Sequence, residues 1–132
     1  MTIPLWTSVE TLRPAVALVI LHGGLEPAVT AELHAGLPAC SDLPVLQLED
    51  AASLHEDWAV HGSHSQAAAW LTRLGTDCLL LAVEPEGSNE LEWLGSVAGQ
   101  RLQHFSTATP TRELIARLQR LRRERLLAVL PL

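Results

Sequence analysis

The residues able to do chemistry fall in a few short segments of this 132-residue chain. His22-Gly23-Gly24 follows one continuous apolar run and Glu84-Pro85-Glu86-Gly87-Ser88-Asn89 follows another. Glu49-Asp50 and Ser106-Thr107 close two shorter runs. If those runs are parallel strands, the four segments share one end of one sheet, the end at which open α/β sheets take their ligands. His22, Gly23, Gly24, Glu84, Glu86, Ser88 and Asn89 are therefore the candidate ligand-binding cleft. Gly23-Gly24 ahead of a helix could offer backbone N–H groups to an anion. The spacing matches neither GxGxxG nor a phosphate-binding loop, so a tight strand-to-helix turn is the simpler reading.

Other constellations carry less. His55, Glu56, Asp57, His61 and His64 cluster in sequence, and His61 and His64 would share a helix face and could seat a metal if one helix ran through both. Gly62 between them argues against that, which leaves solvated histidines and no metal. Ser63-His64-Ser65-Gln66-Ala67 resembles the nucleophile elbow of α/β-hydrolases, as His22-Gly23-Gly24 resembles their oxyanion segment. The elbow needs a strand just before the serine and a glycine two residues after it; here the position is Ala67 and residues 55–62 read as helix. The segment Asp77–Leu94 resembles nucleoside 2-deoxyribosyltransferases, in which a glutamate at the position of Glu90 is the nucleophile. The expected Asp and Tyr partners near the first strand are not evident, and a first-turn carboxylate favoured by the helix dipole accounts for Glu90. Cys40 and Cys78 lie far apart with no CxxC pairing, so a disulfide framework and a cysteine zinc site are not expected; Cys78 reads as a core thiol.

The elements that must position these residues alternate. Ala15–Leu21 is a continuous apolar run and reads as a buried strand. Pro27–Ala35 is a helix with proline in its first turn, stopped by Gly36. Val45–Glu49 is the second strand. Ser53 and Glu56 have capping-box form, as do Ser63 and Gln66, which predicts a helix to about Val60, a break at Gly62 and a second helix to Leu74. Cys78–Val83 is the third strand, buried on both faces. Asn89 caps a further helix carrying Leu91, Leu94 and Val97-Ala98. Leu102–Ser106 alternates as an edge strand does. Thr109-Pro110 opens the last helix, whose apolar stripe is Leu114, Ile115, Leu118 and Leu121. The first 13 residues are a lead-in in which Ser8–Leu12 could form one helical turn. Leu126–Leu132 is an apolar tail that packs on a sheet edge or on a second copy. The β-α-β-α-β-α-β-α order predicts one flavodoxin-like α/β domain, a three-layer sandwich of four or five mostly parallel strands.

Three of these segments resemble response-regulator receiver domains. Asp77–Gly87 is similar to that family's third strand and Pro-Gly turn, Leu102–Ala108 to its fourth strand with Thr107-Ala108 at the hydroxyl-plus-alanine position, and Pro110–Leu118 to the segment after its Lys-Pro. Leu21-His22 stands where the family has an acidic pair, Leu81 or Ala82 where it has the acceptor aspartate, and the chain has no lysine. One helix–strand unit is missing. The resemblance implies a degenerate receiver that neither binds a divalent cation nor accepts a phosphoryl group.

Composition narrows the function classes. Apolar residues make up 48% and charged residues 18%, which excludes a disordered chain. The longest apolar run has seven residues, far short of the roughly 18 of a membrane span. All nine basic residues are arginine, six of them between Arg112 and Arg125. Residues 1–111 hold three arginines against thirteen acids, a net −10, and the C-terminal stretch is +4. An acidic body without aromatics among its arginines argues against nucleic acid. The start lacks a basic leader region, so a cytoplasmic protein is expected. The expectation is a non-catalytic regulatory or protein-interaction module, without a cofactor, whose partner is another protein or itself in a homodimer. The alternative is a small enzyme or nucleotide-binding protein using the strand-end cleft.

Overall fold

The computed structural model describes residues 16–37 and 45–129. Ser8–Leu12, Cys40 and the last three residues of the apolar tail lie outside the described residues. Within them, four strands form one all-parallel sheet: β1 (Ala17–His22), β2 (Val45–Leu48), β3 (Leu79–Glu84) and β4 (Leu102–Ser106), in the order β2-β1-β3-β4. The helices are α1 (Pro27–Gly36), α2 (Ala51–His61), α3 (Gln66–Leu74) and α4 (Thr111–Val129). The α/β class and the four parallel strands expected from the apolar runs are what the structure has.

Strand β3 shows why the order follows from the sequence. All six of its residues are buried. Leu80 and Ala82 face a core closed by Leu54, Leu71 and Leu94; Leu79, Leu81 and Val83 face another closed by Leu33, Leu114 and Leu118. A strand apolar on both faces needs helices on both, and parallel crossovers supply them. Helices α1 and α4 cover one face, α2 and α3 the other. Gly36 allows the close approach of α1 to α4, because a Cβ there would collide with Ile115. Gln119 Nε2 then donates to the Gly36 carbonyl at 2.9 Å.

Several local expectations need correction. The α2 N-cap is Asp50, not Ser53: its carboxylate accepts from Ser53 N at 3.0 Å and Ser53 Oγ at 2.7 Å. These bonds hold the Asp50 carboxyl below its ordinary range, the Ser53 amide contributing most. The α3 N-cap is Ser65, not Ser63, and accepts from Ala68 N. No α-helix follows Asn89; Glu92–Ser96 is a single 3₁₀ turn. Its compactness is set downstream, where Gln100 Nε2 donates to the carbonyls of Leu71 and Gly75 at 2.8 Å each and ties the segment to the end of α3. The last helix begins at Thr111 and continues through Leu126–Val129, so those residues are helical; Leu127 is 71% exposed.

Two expectations follow. Leu80→Asp places an unpaired charge in the core and lowers unfolding free energy by about 3 kcal/mol or more, measured by urea denaturation; a loss under about 1 kcal/mol would contradict burial on that face. Burial pushes the Cys78 thiol from 9.0 up to about 12. The folded-state value lies above that of the unfolded chain. The stability this thiol contributes is therefore complete below about pH 9 and is lost as pH rises toward 12, by at most about 1.4 kcal/mol per pH unit. In a Cys40→Ser background, Ellman's reagent should label Cys78 only after denaturation, and rapid native labelling would refute the buried, protonated thiol.

Candidate functional site

Strands β1 and β3 lie side by side but lead to α1 and to the Glu92–Ser96 turn on opposite faces, so a crevice opens where their ends diverge. His22 is the last residue of β1 and Glu84 the last of β3. The sheet places the two ends side by side, Leu21 pairing with Val83 in register.

Glu84 is a wholly buried carboxylate. Its Oε1 accepts from Ser88 Oγ at 2.7 Å and from Glu90 N at 2.7 Å. Its Oε2 accepts from Leu91 N at 3.2 Å and lies 2.7 Å from His104 Nε2. A carboxylate only accepts, so that histidine nitrogen carries the hydrogen. Desolvating an ion costs several kcal/mol unless its lone pairs are filled, and here four donors fill them. Two are backbone amides of the turn that enters the 3₁₀ segment, one is a side chain of the same loop, and one comes from the neighbouring strand.

His22 has one of its two ring nitrogens committed. Gly24 N donates to its Nδ1 at 2.8 Å, which leaves the hydrogen on Nε2. That Nε2 is shielded from solvent and lies 3.3 Å from Oε1 of Glu90, an ion-pair distance without hydrogen-bond alignment. Leu25 N donates to the His22 carbonyl. The amides of Gly24 and Leu25 are thus turned back on His22 rather than outward to an anion. Gly23 is required by proximity, since a Cβ there would sit 2.6 Å from the Leu48 carbonyl oxygen and 2.7 Å from that of Glu49.

Of the seven cleft residues read from the sequence, the structure joins Glu84 and Ser88 directly, and joins His22 to them through Glu90. Gly23 and Gly24 form the turn that seats His22. Asn89 and Glu86 are exposed, and Asn89 borders a groove. That groove, of about 470 Å³, is lined by Ala51, Ala52, His55, Glu56, Ala59, Asn89, Glu90 and Trp93. His55 stacks on Trp93 with ring centroids 4.6 Å apart, and Trp58 stacks on the same indole at 5.4 Å.

His104 and Glu90 are the members that strand-end reasoning left out of the cleft. The available signal for His104 was a histidine alternating with apolar residues in an edge strand, its side chain on the face of Ala82. The α2 histidines serve elsewhere. Asp57 accepts from Gln66 N at 2.8 Å and lies 3.9 Å from His61, while Gly62 at φ 52° turns the chain between His61 and His64. Among the described residues no group of three or more side chains could hold a metal ion, and no helix is long and apolar enough to cross a membrane. A larger concavity, about 730 Å³, lies at the other end of β3 and β4, where Arg125 Nε and a terminal guanidinium nitrogen both donate to the Asp77 carbonyl.

No family model, curated protein or solved structure matches the chain.

Glu84→Gln keeps the shape and exchanges an acceptor oxygen for an NH₂ that faces donors. It should lower stability by about 2–4 kcal/mol and reduce hydrogen-exchange protection at Glu90 or Leu91, whichever amide the new NH₂ faces. Unchanged protection of those two amides would show that Glu84 does not hold the turn.

Proposed function

We propose that this chain is a non-catalytic regulatory or protein-interaction module. Its sheet order reproduces the first four strands of the flavodoxin-like order 2-1-3-4-5. The observation that supports the reading is the closure around Glu84, whose two oxygens are engaged with Ser88, the amides of Glu90 and Leu91, and His104. A carboxylate with every lone pair engaged is a poor nucleophile and a poor phosphoryl acceptor. This supports the degenerate-receiver reading, since the carboxylate at the end of β3 is Glu84 and it has no exposure. Among the described residues, the outer edge of β4 and the arginine-bearing side of α4 are surfaces open to recognition. The partner is another protein or a second copy of the chain, met in the cytoplasm.

A second reading rests on the groove beside Glu90. Glu56, Glu90 and Asn89 offer polar contacts beside the Trp93 wall, enough for a small nucleoside-like or cationic ligand.

Native mass spectrometry of the chain isolated gently from its own cells separates the two. The module reading expects a stoichiometric protein complex. A bound small molecule lost in Glu90→Gln would replace it by the second reading. Acetyl phosphate with magnesium should leave the intact mass unchanged, and a hydroxylamine-labile adduct on the folded protein would refute the non-catalytic assignment.

A further inference from the structure

The outer edge of β4 is open among the described residues. Leu80 N donates to the Arg101 carbonyl and Thr107 N to the Glu84 carbonyl. In a parallel ladder this phase turns the odd-numbered backbone groups of β4 toward β3 and those of Leu102, His104 and Ser106 outward. The Ser106 carbonyl is taken by Thr109 N. Leu102 and His104 and the Ser106 amide remain as a strand-length template facing away from the sheet.

The face of that edge beside α4 has a definite chemistry. Gln103 and Phe105 form the floor of a groove of about 590 Å³ whose other wall includes Arg117, Arg120 and Arg123, with Glu113 the one acid. All three arginines are exposed; Arg117 donates to Glu113 at 3.0 Å and Arg120 lies 3.7 Å from Glu124, both solvent-exposed pairs that a partner's carboxylate can exchange with. A strand laid against β4 would direct every second side chain to this face, over Phe105 and beneath the arginines. Its alternate side chains would meet Leu102 and His104 on the opposite face, where Leu102 packs on the apolar core and the His104 ring is already committed to Glu84.

Resting on the module reading, we propose that the β4 edge is a docking site for an extended acidic segment of a partner protein. The segment adds as a fifth strand, with carboxylates at every second position toward Arg117, Arg120 and Arg123 and uncharged residues between them. Charge selects this occupant over a second copy. Two-fold pairing of β4 with itself would put both α4 helices on the same face of the joined sheet, arginine row against arginine row.

The test uses the full-length protein and a fluorescent peptide of alternating Val and Glu. Fluorescence polarisation should show saturable binding that weakens as salt rises. Replacing each Glu by Lys should weaken it by about tenfold or more, and Arg120→Gln with Arg123→Gln by about fivefold, while circular dichroism of the double variant stays native. All Val amides of an extended peptide point to one edge and all Glu amides to the other. N-methylation of one set should therefore abolish binding and N-methylation of the other set should leave it intact. Equal binding of both methylated peptides, or of the lysine peptide and the parent, would overturn the proposal. A sedimenting dimer in which Gln103→Cys chains, in a Cys40→Ser background, form a disulfide between two copies would also overturn it. Failure of the peptide beside a protein complex in the native mass spectrum removes the edge and leaves the module reading; absence of the complex removes that reading too.

Discussion

One buried carboxylate holds the carboxyl end of this sheet together. Glu84 closes β3, and its partners come from two separate parts of the chain: the 88–91 loop, through the Ser88 hydroxyl and the amides of Glu90 and Leu91, and β4, through the ring of His104. The cost of removing its charge from water fixes how these parts sit, because each lone pair left empty would add to that cost. The turn at 88–91 is pulled down onto the strand end, and this places Glu90 within reach of His22 on β1. Two strands of the sheet and the crossover between them are thus registered through one side chain.

The same demand explains where an expected helix failed. Asn89, Leu91 and Leu94 have helical spacing. Yet the amides of Glu90 and Leu91 are directed to Glu84, and Gln100 anchors the outgoing chain to the end of α3. What fits between those two anchors is a single 3₁₀ turn. Both anchors act across sequence distances of six residues or more, so neither is visible in the local pattern.

Sequence patterns revealed the layers and missed the partners. The apolar runs at 15–21, 45–49, 78–83 and 102–106 marked all four strands to within two residues at each end, because burial on one or both faces leaves an unambiguous imprint. Caps were legible in type and misplaced in position. Ser53 and Ser63 have good N-cap chemistry, but α2 starts as soon as β2 releases the chain, at Asp50, and Ser65 is the serine buried where α3 begins. Of the candidate site, Glu84 and His22 could be read from their places at the ends of apolar runs. Their closure on Glu90 and His104 could not, since it depends on the register Ala82↔His104 and on the fold of the 88–91 turn.

A parallel sheet with an open edge invites unwanted pairing, and the two edges here are guarded differently. Strand β2 is only four residues long. Strand β4 carries Gln103 and His104, polar residues on its two faces, and runs beneath the arginine row of α4. Charge beside an edge is a common defence against self-association, because identical rows repel when copies approach. The defence is not neutral toward other molecules. A row that repels its own copy attracts a strand of opposite charge, so the feature that discourages self-pairing also narrows the partners the edge will accept. The rest of this chain is strongly acidic, and the concentration of arginine on α4 confines that attraction to one side of one strand.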